Sequence, residues 1–268
     1  MFAISRKLIQ GNPLSFYLQQ KAYKRDFNPN IDHDRYQNIL AKLRERGFYI
    51  LENHIPIAVV QQIKADVEKS LFALSDGNQV PWDIQSTSYP EFGTYVLHNV
   101  ERFSSACLNF VQDDLVDEVV KVYSGNQAVS FGATAELRSQ PRKNNLVDDW
   151  HTDTWKFRFK AILYLTDVKP ENAPLRYLSG SHSDKYWRWR KFCSDYLRHT
   201  FPNASWASYL SFKQFKQELV NPAFKAVRCT GSAGTVILFD TRGIHCGSPL
   251  QKSHRLILNH TFVSKNDL

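Results

Sequence analysis

The sequence predicts a mainly β domain, a sandwich or barrel with flanking helices. From "VSFGATAELRS" onward, strand-like runs alternate with the turns "SQPRKNN", "KPENAP", "SGSHS", "TGSAG" and "RGIHCGSP". Ahead of them the apolar residues recur at helical spacing instead. The 268 residues, 43% apolar and 13% aromatic, are enough for one large core. Strand-rich chains punctuated in this way bury their apolar faces as two packed layers or a closed sheet.

Residues 1–37 are polar, carry "GNP" and "NPN" turn signals and lack a sustained period, so they read as an arm on the surface. In "DRYQNILAKLRERG" the residues Tyr36, Ile39, Leu40 and Leu43 mark one helical face, and Gly47 ends the helix. "FYILEN" is a short strand, and after Pro56 "AVVQQIKADVEKSLFAL" is a second amphipathic helix. The β region then runs to the end as part of a single domain, 38–268. It is interrupted at about 183–222 by "DKYWRWRKFCSDYLRH" and "SWASYLSFKQFKQELV", which read as two inserted helices. Tyr186, Trp189, Cys193, Tyr196 and Leu197 form a stripe on the first, which suits packing on the β region with some lid function. A membrane-surface helix and a nucleic-acid patch are the alternatives.

The 34 basic and 26 acidic residues leave a formal charge of +8, which favours anionic partners without choosing among small acids, phosphorylated ligands, nucleic acid and acidic membrane. Cys107, Cys193, Cys229 and Cys246 lie far apart with no CxxC pair, excluding a zinc knuckle or disulfide framework and predicting reduced thiols inside the cell. The first residues, "MFAISRKLIQGNPLSF", lack the apolar core and cleavage site of a secretory signal, although a weak organelle-targeting reading stays open. No apolar run approaches the roughly 20 residues of a membrane span. A soluble, cytoplasmic protein is expected, with peripheral membrane contact left open.

The chemistry is concentrated in "DDWHTDTWKFRFKAILYLTDV", residues 148–168. Side chains two apart on a strand share a face, so His151 and Asp153 can offer a nitrogen and an oxygen to one point. An HxD alone is a weak signal in a chain with nine histidines. His245, after the apolar "GTVILFD" and a tight turn, supplies a third ligand. Two histidines and one carboxylate on one face of a metal suit non-haem Fe(II) and oxygen chemistry. In "HRLILNH", Arg255 has the planar guanidinium that grips the distal carboxylate of a dicarboxylic co-substrate, although a lone arginine at a strand end is more often a surface residue.

"KFRFKAILYL" places Phe157, Phe159, Ala161, Leu163 and Leu165 on one face and Lys156, Arg158, Lys160, Ile162 and Tyr164 on the other. With the apolar face against helices, Lys160, Ile162 and Tyr164 come near the co-substrate, and Lys156 and Arg158 meet an anionic substrate at the mouth. The competing reading leaves the cations solvated on an outer face. His98, Arg176, Trp187, Arg188 and Arg190 are the remaining substrate-side candidates, with a structural hydrogen-bonding role the alternative for His98.

In their order, "HTD", "LYLTDVKPENAPLRYLSGSHS", "GTVILFDTRGIHCGSP" and "HRLILN" resemble the phytanoyl-CoA dioxygenase family of Fe(II)- and 2-oxoglutarate-dependent oxygenases. "RERGFYILENHIPIAVVQQIKADVEKSL" is similar to that family's N-terminal helix, strand and helix, so the resemblance runs from about residue 38 to residue 263. Its most specific part is "ENAPLRYLSGSH", because an HxD with a later histidine occurs in many unrelated oxygenases. The resemblance implies a double-stranded β-helix, a cupin-like jelly-roll barrel with the metal at its mouth. It implies that His151, Asp153 and His245 hold Fe(II) and that Arg255 anchors the C5 carboxylate of 2-oxoglutarate. It further implies reaction with O2, release of succinate and CO2, and a small organic substrate such as a fatty acyl thioester, an amino-acid-like compound or a secondary metabolite. Related halogenases carry a small residue where Asp153 stands, so its presence favours hydroxylation. Two alternatives remain: a barrel that binds an anionic ligand, nucleic acid or membrane without turnover, and the same chemistry on a nucleobase or protein side chain.

Overall fold

The computed structural model describes residues 36–75, 86–89, 94–139, 150–154, 156–184, 193 and 224–267. Almost all of the predicted arm and insertion, with Trp187, Arg188 and Arg190, lies outside the described residues.

Helix α1, Gln37–Arg46, buries Leu40 and Leu43. Gly47 ends it in the left-handed conformation, φ 83°, with its N–H donating to the Leu43 carbonyl at 2.8 Å. A Cβ here would stand 2.4 Å from the Tyr177 hydroxyl and 2.5 Å from His182 Nδ1, so sterics demand glycine as firmly as the backbone does. Strand β1, Phe48–Leu51, leads to α2, Ile57–Ser75, which buries Val60, Ile63, Val67 and Leu71 along one stripe.

Strands β2, Ser86–Tyr89, and β3, Thr94–His98, form a hairpin. Two helices that the sequence reading does not single out come next, α3, Ser105–Val111, and α4, Asp114–Tyr123. Each has a side-chain cap: Ser104 Oγ accepts from Cys107 N–H at 3.1 Å, and the Asp113 carboxylate from Val116 N–H at 2.9 Å. The remaining strands are β4, Ala128–Arg138; β5, Arg158–Tyr164; β6, Leu175–Leu178; β7, Ala226–Cys229; β8, Val236–Asp240; β9, His245–Gly247; and β10, Arg255–Ser264.

The strands pair antiparallel in two sheets, one ordered β1-β8-β5-β10-β4-β3-β2 and the other β7-β6-β9. Ile162, Tyr164, Ile237, Phe239 and Ile257 of the larger sheet pack on Leu175, Tyr177 and Cys229 of the smaller. The other face of the larger sheet carries Phe159, Ala161, Leu163, Leu238 and Leu258, packed with the buried stripes of α1, α2 and α4. This is the predicted jelly roll, with one correction: among the described residues the two sheets face each other without joining into a closed barrel. No described helix is long and apolar enough to cross a membrane.

Gly47→Ala should destabilise the fold by about 2–4 kcal/mol, combining the left-handed backbone cost with overpacking against Tyr177. The check is a lower urea midpoint with an unchanged m value.

Candidate metal centre

Strand β8 ends at Asp240, and the chain must turn into β9 across residues 241–244. Asp240 is fully buried, and the backbone N–H and Nε of Arg242 both donate to its Oδ1, at 2.9 and 2.8 Å. Its Oδ2 accepts from Arg242 and, at 2.9 Å, from the Tyr123 hydroxyl at the end of α4. Burial alone would raise this carboxyl, but the guanidinium outweighs it and the pKa is pushed down to about 2. The Asp240 carbonyl accepts from Gly243 N–H at 3.1 Å and from the Tyr177 hydroxyl at 2.8 Å. Tyr177 needs the space beside Gly243, where a Cβ would fall 1.8 Å from its oxygen.

This turn delivers His245, buried against Phe239 and stacked on Tyr177 with 6.3 Å between ring centroids. Its Nδ1 lies 2.9 Å from the Gly243 carbonyl, which can only accept, so Nδ1 carries the proton and Nε2 presents its lone pair. Burial lowers the His245 pKa, favouring this neutral form. Residues 150–154 run beside β9: His151 and His245 exchange N–H···O=C bonds of 2.9 and 2.8 Å, and Asp153 N–H donates to the Thr241 carbonyl at 3.2 Å. The result is a cluster of donor atoms from His151, Asp153 and His245, all within 4.8 Å of one another. Asp153 Oδ1 lies 3.6 Å from His151 Nε2 and 3.4 Å from His245 Nε2.

The second carboxylate oxygen faces Lys160, whose Nζ is 2.7 Å from Asp153 Oδ2. Desolvation would raise this carboxyl, but the Lys160 ammonium, followed by the two histidines, holds it well below the usual range. Two imidazoles and an ionised carboxylate, converging from one side, fit a divalent first-row metal.

Arg255 opens β10 on the face that looks between the sheets. Its guanidinium is buried and already contacted: Nη2 donates to Glu136 Oε1 and Nη1 to the Ala173 carbonyl, each at 2.5 Å. Its Nε is buried without a hydrogen-bond partner. Burial and the neighbouring Arg138 push its pKa down to about 10, which leaves it charged at neutral pH. An orphaned buried donor on a cation fits the carboxylate of an organic acid.

The other candidates are dispersed. Ile162 and Tyr164 lie in the cluster between the sheets, with the Tyr164 hydroxyl donating to the Cys229 carbonyl at 2.5 Å. His98 stands opposite Thr134, Thr134 opposite Asn259, and Asn259 opposite Ile162, so His98 shares that face. The Nε of Arg158 is buried without a hydrogen bond. Lys156 is tied to Asp267 at 2.5 Å, and Arg176 lies over the Trp150 ring at 5.1 Å. Sequence reasoning missed the partners: Glu136 and Arg138 around Arg255, and Asp240 with Arg242 before His245. The last pair had a signal, since an aspartate and an arginine two apart in "FDTRGIH" bracket a turn out of a wholly apolar strand.

A jelly roll that gathers two histidines and an aspartate at one end, with a buried cation between its sheets, defines a non-haem metal oxygenase. Residues 43–254 match the phytanoyl-CoA dioxygenase (PhyH) family, and the chain belongs to it. It is an Fe(II)/2-oxoglutarate-dependent oxygenase. The comparison with curated proteins gives no match. Among solved structures, EctD from S. alaskensis with bound Fe is similar over 85% of this chain and 76% of its own, at 18% identity and TM-score 0.61. HygX from Streptomyces hygroscopicus with nickel, 2-oxoglutarate and hygromycin B is similar over 85% and 87%, at 14% identity and TM-score 0.58. The α-ketoglutarate-dependent carbocyclase SnoK from nogalamycin biosynthesis is similar over 88% and 87%, at 15% identity and TM-score 0.61. At these identities the likeness speaks to the fold.

The depressed pKa of Asp240 sets an acid limb of stability. Its contribution is complete above the ordinary carboxylate value near 4 and is lost as pH falls through about 2. Unfolding free energy should therefore fall by on the order of 2 kcal/mol over that window from this group alone. Asp240→Asn should cost about 3 kcal/mol at pH 7, by stranding Arg242, and should flatten the limb. Urea unfolding at pH 7, 4 and 3 measures both effects.

Proposed function

We propose that the enzyme hydroxylates an aliphatic C–H bond of a small or medium-sized anionic organic substrate, releasing succinate and CO2. The observation that carries this reading is the arrangement of Asp153, with one oxygen toward the histidines and the other held by Lys160. A carboxylate fixed in this way supplies one oxygen to a metal, and its presence disfavours a halide in that position. When bound, iron and 2-oxoglutarate supply the oxidising equivalents drawn from O2.

The chain contributes coordination, orientation and exclusion of water. His151, Asp153 and His245 would hold the metal. Lys160 keeps the carboxylate from rotating and offsets negative charge beside it. Arg255 receives the distal carboxylate of 2-oxoglutarate, and the buried side chains of Ile162 and Tyr164 form a dry wall on the same sheet face. Arg158, with its buried unbonded Nε, meets an anionic group of the substrate, with His98 on the adjoining wall. Lys156 and Arg176 are already engaged by Asp267 and Trp150, which leaves them supporting parts. SnoK is described as a carbocyclase, and a fold shared with it does not fix the outcome, so the reaction outcome rests on this pocket rather than on the fold. The four cysteines are free, and burial pushes the thiols of Cys107 and Cys229 up to about 11 and 12, which keeps both protonated and unreactive at neutral pH.

Anaerobic addition of Fe(II) and then 2-oxoglutarate should produce the visible charge-transfer band of the chelate. The band should weaken in Arg255→Ala and be absent in His151→Ala and His245→Ala, which should also lose succinate formation. Undiminished succinate formation in either histidine variant would overturn the assignment. Incorporation of label from 18O2 into the product would separate hydroxylation from outcomes that leave oxygen out.

A further inference from the structure

We infer that Glu136 is an internal competitor of the co-substrate, occupying part of the Arg255 guanidinium that 2-oxoglutarate must claim. This rests on the reading of Arg255 as the anchor. In register, Arg255 stands opposite Arg138, and Ile257 opposite Glu136, so all three charged side chains rise from one face of adjacent strands. The single oxygen Oε1 of Glu136 accepts from Arg255 Nη2 at 2.5 Å and from Arg138 Nε at 2.9 Å. One carboxylate oxygen is thus shared by two guanidiniums.

The remaining donors of Arg255 show what is contested. Nη1 is committed to the Ala173 carbonyl, which pins the far side of the guanidinium. The side available to a ligand is the fork made by Nε and Nη2. Nε is buried and unbonded, while Nη2 holds Glu136. A carboxylate binding the fork completes the unsatisfied Nε and takes the second N–H of Nη2, which sets a second negative charge against Glu136 on one guanidinium, and the repulsion between the two carboxylates displaces Glu136. Glu136 is not stranded by the exchange, because its bond to Arg138 persists. Arg138 is the second donor that holds Glu136 when it leaves Arg255, and it also donates to the Ser248 carbonyl at 3.3 Å. An α-keto acid without a distal carboxylate does not enter this competition.

The competition has a sign opposite to that of a merely structural contact. If Glu136 only positioned Arg255, removing its charge would loosen the anchor and weaken 2-oxoglutarate binding. As a competitor, its removal strengthens binding. The test is calorimetric titration of the Ni(II)-loaded protein with 2-oxoglutarate and, separately, with pyruvate. Glu136→Gln should bind 2-oxoglutarate about tenfold more tightly, with pyruvate unchanged. Arg138→Gln, which removes the second guanidinium drawing Glu136 away from Arg255, should bind 2-oxoglutarate more weakly, again with pyruvate unchanged. It serves alone if Glu136→Gln does not fold. Arg255→Met should abolish the preference for 2-oxoglutarate over pyruvate. Equal or weaker 2-oxoglutarate binding by Glu136→Gln, or equal or tighter binding by Arg138→Gln, overturns the competition. An intact preference in Arg255→Met instead overturns the anchor, a failure of a different kind.

Discussion

The buried carboxylate of Asp240 ties together the helical layer, the larger sheet and the turn that leads to His245. Its side chain takes hydrogen bonds from Tyr123 on the helical layer and from Arg242 in the turn that follows. Its own N–H donates to Gly47 at the exit of α1, at 2.9 Å, and its carbonyl receives Tyr177 from the smaller sheet. Helices, both sheets and the turn before His245 thus converge on one residue. A buried charge is tolerable only with its partners in place, so the turn has one low-energy arrangement. The direction in which His245 presents Nε2 follows from that arrangement.

Electrostatics repeats one motif at the two ends of the space between the sheets. At the metal end a carboxylate, Asp153, divides its oxygens between imidazoles and the Lys160 ammonium. At the Arg255 end a carboxylate, Glu136, lies between two guanidiniums. At the metal end the Lys160 ammonium keeps Asp153 ionised in surroundings that would otherwise neutralise it. Apolar residues between the two ends, among them Ile162 and Ile257, line the space that separates the two charge clusters.

The legible part of the sequence was whatever repeats locally. Period-two alternation in "KFRFKAILYL" gave the two faces of β5, helical spacing and Gly47 gave α1, and turn residues gave the strand-rich layers. His151, Asp153 and His245 could be named together because two share a strand face and the third follows a turn. The partners were not legible. Lys156 meets Asp267 across 111 positions, Arg255 meets Glu136 across 119, and nothing near either end of such a pair marks the other. Helices α3 and α4 were overlooked although α4 carries a helical signal, with Val116, Val119 and Val120 recurring at helical spacing behind the Asp113 cap. Openness of the two sheets is a property of strand order, which no local pattern encodes.

The proton on His245 Nδ1 goes to a main-chain carbonyl, that of Gly243, rather than to an acidic side chain. A carbonyl belongs to the backbone whatever residue stands at the position, and glycine there is already required by Tyr177. The electron-donating strength of this imidazole is therefore insulated from mutation, whereas that of the carboxylate ligand depends on a single lysine. Drift in the reactivity of the centre, over evolutionary time or in a directed library, should accumulate on the Lys160 side and leave the histidine side untouched.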